Sequence, residues 1–207
     1  MIIEPQYLPN ILYISTLISS KQIFFNDTGI FKKQTYRNRT YIMAANKVLP
    51  LIIPLKSGKT KIPYKDVRID HQTNWTKIHW QSIISAYNKS PYFFYYRDYF
   101  EKYFIEKYSF LVDINLELLD KVFQILQLEL KFSSLSSHNQ ADTEEQINLT
   151  DKIHPKKNDS VLASAYKEIP YNQVFNDRFG FVPGISIIDL LFNTGPEAIQ
   201  ILREGMS

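Results

Sequence analysis

The first 27 residues constrain the fold more than any other stretch. A short apolar start, residues 1–4, is stopped by Pro5. Ile11, Ile14, Leu17 and Ile18 then recur at helical spacing behind Asn10, a residue suited to capping a helix. Residues 22–27 (QIFFND) are rich in strand formers and end in turn residues. Strand, helix and strand in so short a span predict a βαβ unit with parallel strands and a right-handed crossover. The fold class expected is therefore α/β, with a Rossmann-like three-layer core as one form it can take.

Further along, TYIMAA (40–45) and KVLPLIIPL (47–55) predict a β-hairpin, with Pro50 placing its strand at an edge or a bulge. Helices are expected from residue 73 to the Ser90-Pro91 step, over 92–108, and over 115–129 with Asn115 as its cap. Trp80, Ile83, Ile84 and Tyr87 face inward on the first. Tyr96, Phe100, Tyr103 and Phe104 do so on the second, and Leu118, Leu119, Val122, Phe123 and Leu126 on the third. Residues 133–160 are polar and read as one long flexible loop, either a lid or a disordered segment. PYNQVF (170–175) predicts a short strand. Ser186 with Asp189 forms a variant capping box for a helix through Phe192, Gly195 ends that helix, and Pro196 opens a last one. The whole reads as a single domain over 1–207, with a largely helical C-terminal half.

Composition narrows the function classes. The chain has 207 residues and no cysteine, which excludes a disulfide scaffold, a thiolate metal site and a cysteine nucleophile. Lysine and arginine number 24 against 21 acids, a net charge of +3, too mild for a DNA-binding face. The longest strongly apolar run, VLPLIIPL, has eight residues and two prolines, where a membrane span needs about 20. With no secretory pattern at its start, the expectation is a cytoplasmic protein without membrane insertion. GxGxxG, P-loop and HExxH patterns are all absent, so the cofactor is unknown. His71 and His79 stand eight apart without a third ligand, so no metal site is predicted. The 14 tyrosines need hydrogen-bond partners wherever they are buried.

Five constellations are weighed for chemistry. Gln6, Tyr7 and Asp27 follow the two early strands, where open α/β sheets bind ligands; Asp27 is alternatively a turn cap. KKQTYRNR (32–39) gathers Lys32, Lys33, Arg37 and Arg39 around Tyr36 and Asn38. In a strand Arg37 and Arg39 share a face and suit a phosphate or carboxylate, the alternative being a solvated loop. His79 is either a general base or a structural histidine. His154, in the long loop, is either part of a lid or of a disordered segment. Asp189 and Asn193 lie four apart on one helix face and are explained by capping. Tyr87 and Tyr92 stand beside polar motifs, where a flat ring can meet a sugar or base.

The pieces EPQYLP, FFND, KKQTYRNR, IHW, AYNKSPYF, PYNQVF and ISIIDLLFNTGPEA resemble, in order, the WbqC-like family of bacterial proteins. The resemblance implies a cytoplasmic protein associated with surface-polysaccharide (O-antigen) synthesis. The leading expectation is an enzyme that transfers an acyl or aminoacyl group to a nucleotide-linked sugar. His79 would be its base, Arg37 and Arg39, with Lys33 and Asn38, would hold phosphate, and Asp27 and Tyr7 would orient the acceptor. The alternative is a non-catalytic glycan-precursor binder or assembly module. RNA binding through YRNR ranks below both on charge.

Overall fold

The computed structural model describes residues 1–20, 22–56, 61–129, 131–137, 146–156 and 160–206. It contains the parallel pair expected from the first 27 residues: β1 (Ile2–Ile3) lies beside β2 (Gln22–Phe25), with Ile2 opposite Phe24. α1 (Ile11–Leu17) connects them, and the Asn10 side chain accepts from the Tyr13 N–H at 2.9 Å as its N-cap. Every residue of α1 is buried, Ser15 and Thr16 included, so it runs through the interior rather than along the surface.

A third parallel strand, β5 (Lys131–Ser134), pairs with the other side of β2. Beyond β1, Ile2 donates to Ile147 O and accepts from Leu149 N, both at 2.8 Å. Two parts of the stretch expected as a loop thus join the sheet, one at each edge. Residues 138–145 and 157–159 of that stretch lie outside the described residues. β3 (Arg39–Met43) and β4 (Val48–Ile52) form the expected antiparallel hairpin as a separate two-stranded sheet, with exposed Pro50 opposite Tyr41. The described chain is a mixed α/β protein with a small parallel sheet and several helices.

α2 (Trp75–Tyr87), α3 (Phe93–Ile105) and α4 (Leu111–Ile125) supply the aromatic core. Trp80 stacks on Phe104 with centroids 5.3 Å apart. Against these helices lies the short helix from Ile187 to Thr194, whose Phe192 meets Tyr87, Phe93 and Phe100 at 5.3, 5.2 and 5.7 Å. Offset and edge contacts of this kind contribute about 1 kcal/mol each beyond burial.

Two expectations are corrected. α4 begins one turn before Asn115, because Leu111 N donates to Val67 O at 2.9 Å and launches the helix there. Asn115 is instead a fully buried interior residue. PYNQVF forms no strand: the Gln173 side chain accepts from Val182 N and donates to Val182 O, satisfying the backbone groups that a partner strand would otherwise pair. The remaining helices are α5 (Ser160–Ala165), α6 (Asn176–Phe179), α7 (Ile187–Thr194) and α8 (Ala198–Glu204). Ser186 caps α7 as expected, and Gly195 closes it at φ 56°.

Candidate functional site

The turn after β1 is tied down from three directions. Leu8, at φ 40°, gives its carbonyl to Thr40 Oγ1 at 2.7 Å and Ser186 Oγ at 2.9 Å, and Tyr7 N donates to Tyr36 O. A non-glycine residue holds a left-handed backbone only when its surroundings fix it. The segments EPQYLP, TYRNR and ISIID, distant in sequence, therefore meet at one knot.

On one side of this knot lies a buried polar cluster. Glu4 is 2% exposed; its carboxylate accepts from Gln6 Nε2 at 3.3 Å and from Asp151 N at 3.0 Å. Burial raises the Glu4 pKa, and the Arg37 charge opposes that rise. The Arg37 side chain is 4% exposed, lies over the Tyr64 ring at 5.7 Å, and has NH1 2.8 Å from Asp151 Oδ1. That ion pair is close but not aligned as a hydrogen bond, and Arg37 Nε has no hydrogen-bond partner among the described residues. Gln6 Oε1 and Arg39 Nε are buried and unpartnered in the same way. A buried donor or acceptor costs about 1–3 kcal/mol unless water, protein or ligand meets it, so these three atoms are places where a polar ligand can bond.

Asp151 is held at φ 61° and is shared with Lys32 at 2.7 Å. Burial pushes its carboxyl up, but Lys32 and Arg37 outweigh this and hold the pKa below its ordinary value. His154 lies within the field of Asp151, Arg37 and Arg39. Burial foremost, then the Lys156 charge, lowers its pKa, so the ring is neutral at pH 7. The cluster thus offers two guanidinium groups, an ammonium, a carboxamide and a neutral imidazole, a set suited to a phosphate or carboxylate.

The structure groups Gln6, Arg37 and Arg39 of the expected site and leaves the others elsewhere. Asn38 is buried nearby but used structurally, its Nδ2 donating to Ile53 O at 3.1 Å; Lys33 is exposed. Asp27 is half-buried and accepts from Ser134 Oγ at 3.0 Å. Tyr7 is fully buried and donates to His79 Nδ1 at 2.9 Å, while the same imidazole bonds to the Ile52 carbonyl. His79 is 4% exposed, and burial pushes its pKa down to about 4. With both ring nitrogens engaged inside the core, the geometry gives His79 a structural position and no substrate-facing nitrogen. Tyr87 bonds to Asp189 at 3.4 Å, and Tyr92 packs its ring against Gly195. Neither reaches the Arg37 cluster.

Sequence reasoning missed Glu4 and Asp151. Glu4 was legible as an acid inside an apolar strand start. Asp151 was hidden in a polar stretch, where buried Leu149 and Ile153 on either side were the only sign of packing.

These features describe an α/β protein whose post-β1 turn, KKQTYRNR segment and 149–154 segment surround a buried arginine. The profile of the WbqC-like protein family matches residues 4–163 and 148–201, and the chain belongs to that family. It is similar to the uncharacterized protein Rv1507c of Mycobacterium tuberculosis (strain ATCC 25618 / H37Rv), 24% identical over 223 residues covering 98% of this chain and 96% of that one. No solved structure matches significantly. Among the described residues no helix is long and apolar enough to cross a membrane.

Proposed function

We propose that this protein binds an anionic glycan precursor, a nucleotide-linked sugar, through Arg37, and acts in the cytoplasm in bacterial surface-polysaccharide synthesis. The observation that carries the reading is the buried Arg37 guanidinium, with Nε unpartnered and NH1 paired off-axis to Asp151. Arg39 and Gln6 complete the anion site, and Asp151 stands where a ligand phosphate would sit. The ligand enters beyond the carboxyl end of β1, the position used by open α/β sheets, and on that ground we read the small parallel sheet as a reduced Rossmann-like core. The family supplies the polysaccharide context, and the +3 charge favours a small anion over DNA.

A second reading is catalytic: transfer of an acyl or aminoacyl group from an activated thioester or ester donor to a hydroxyl of the bound sugar, the donor's acyl bond breaking and its thiol or alcohol leaving with the hydroxyl's proton. It is favoured by His154, whose neutral ring lies within the field of both arginines; its Nδ1 accepts from Lys156 N at 3.2 Å, and that bond must give way before the ring takes a proton from an acceptor hydroxyl. His154 replaces His79 as the base in this reading, and Asp27 has no part in it.

Calorimetric titration with UDP-, dTDP- and GDP-linked sugars tests the binding function. Wild type is expected to bind at least one, and Arg37→Ala and Arg39→Ala to weaken it by about 100-fold and tenfold, since buried charge-assisted pairs contribute more than half-buried ones. Binding by none, or binding indifferent to both substitutions, removes the proposal. His154→Ala distinguishes the second reading: in a binder it weakens affinity at most, and in a transferase it abolishes turnover at saturating substrate.

A further inference from the structure

A second site lies away from the Arg37 cluster and shares no residue with it. Between α3, α4 and the start of α8 is a cavity of about 310 Å³, lined by Tyr95, Tyr96, Tyr99, Lys121, Gln124 and Gln127 among others. Tyr95 is 69% exposed and Tyr99 46% exposed, unusual for large rings on a helix whose inner face is already filled. The Tyr96 ring lies 6.3, 5.0 and 6.4 Å from those of Tyr92, Tyr95 and Tyr99, centroid to centroid.

The rings meet at steep angles: Tyr95 and Tyr96 at 89°, Tyr96 and Tyr99 at 50°. No two are parallel, so a flat base or indole finds no sandwich. Lys121 sits over Tyr99 at 5.7 Å and donates to Gln124 Oε1, setting an ammonium and a carboxamide on the same rim. No carboxylate lines the cavity among the described residues, which removes the usual partner of a cationic ligand. Gln124 Nε2 donates to Asp120 Oδ2 at 2.6 Å, so the free donors are phenols and the ammonium; with apolar ring faces for C–H groups, they fit a non-planar ring that carries hydroxyls at its edge.

We propose that this cavity binds a hexopyranose unit of a glycan, independently of the anion site. The test is saturation-transfer NMR on the full chain with three separate probes: N-acetylglucosamine, glucuronic acid and uridine. Transfer to the ring protons of one or both sugars is expected, Lys121 favouring the acid. Tyr95→Ala and Tyr99→Ala, both at exposed positions, should each weaken that sugar's binding about tenfold, while Arg37→Ala leaves it in place. An unchanged melting temperature separates lost contact from lost fold. Absence of transfer to both sugars, transfer to uridine alone, or sugar transfer undiminished in both tyrosine variants overturns the assignment.

Discussion

His79 and Asp189 are buried ionisable residues whose shifts run in opposite directions. Burial lowers His79 from 6.5 to about 4, so the unfolded chain gains a proton below pH 6.5 that the folded one refuses. Its contribution is present above pH 6.5 and is lost as pH falls towards 4. Burial raises Asp189 from 3.8 to about 7, ahead of the opposing bonds from Tyr171, Tyr87 and Asn193. That contribution is present below pH 3.8 and is lost as pH rises towards 7. Between pH 4 and 6.5 the two slopes offset each other, each worth up to about 3 kcal/mol. Urea denaturation across this window should show Asp189→Asn gaining stability relative to wild type as pH rises, and His79→Gln losing it. Two variants that track the wild-type curve would show that neither group is shifted. Asn115 makes a different prediction. Its Nδ2 donates to Arg37 O and Tyr64 OH, both at 2.6 Å, so Asn115→Leu strands a buried carbonyl under the arginine and costs about 2 kcal/mol in the same assay.

At the scale of elements, α7 depends on Gly195. A Cβ there would lie 2.5 Å from the Tyr92 ring, and φ is already 56°. Gly195→Ala therefore has both backbone strain and a clash to relieve, about 2 kcal/mol, read as a melting temperature lower by roughly 5 °C. This cap was legible because a glycine–proline pair after an apolar period has one local meaning. The α1 cap at Asn10 and the hairpin were legible for the same reason. What the sequence hid depends on partners far along the chain. β5 is four residues long, and only pairing with β2 makes it a strand. The start of α4 is set by Val67, and the 170–175 strand is replaced by one glutamine side chain. At the site, the paired arginines were visible as a charge pattern. Glu4 stood out only as an acid in an apolar strand start and Asp151 not at all, because their roles arise only when residues 4, 37 and 151 are folded together.

For the whole molecule, the sheet, the hairpin and α7 converge on one turn and hold it in a strained backbone, and three of the unsatisfied polar atoms, on Gln6, Arg37 and Arg39, belong to the cluster beside it. Asp151 offers its carboxylate to Lys32 and Arg37. On the proposed function an incoming anion has to displace it. Asp151→Asn should therefore bind pyrophosphate several-fold more tightly than wild type in a calorimetric titration; equal or weaker binding would show that the carboxylate supports the ligand instead. The most direct test follows the Arg37 Nε–H resonance by nitrogen-15 NMR while UDP is added to the wild-type chain. A saturable downfield shift and slower exchange with water are expected as the unpartnered donor gains an acceptor. A resonance that stays still through a titration in which UDP binds would contradict it.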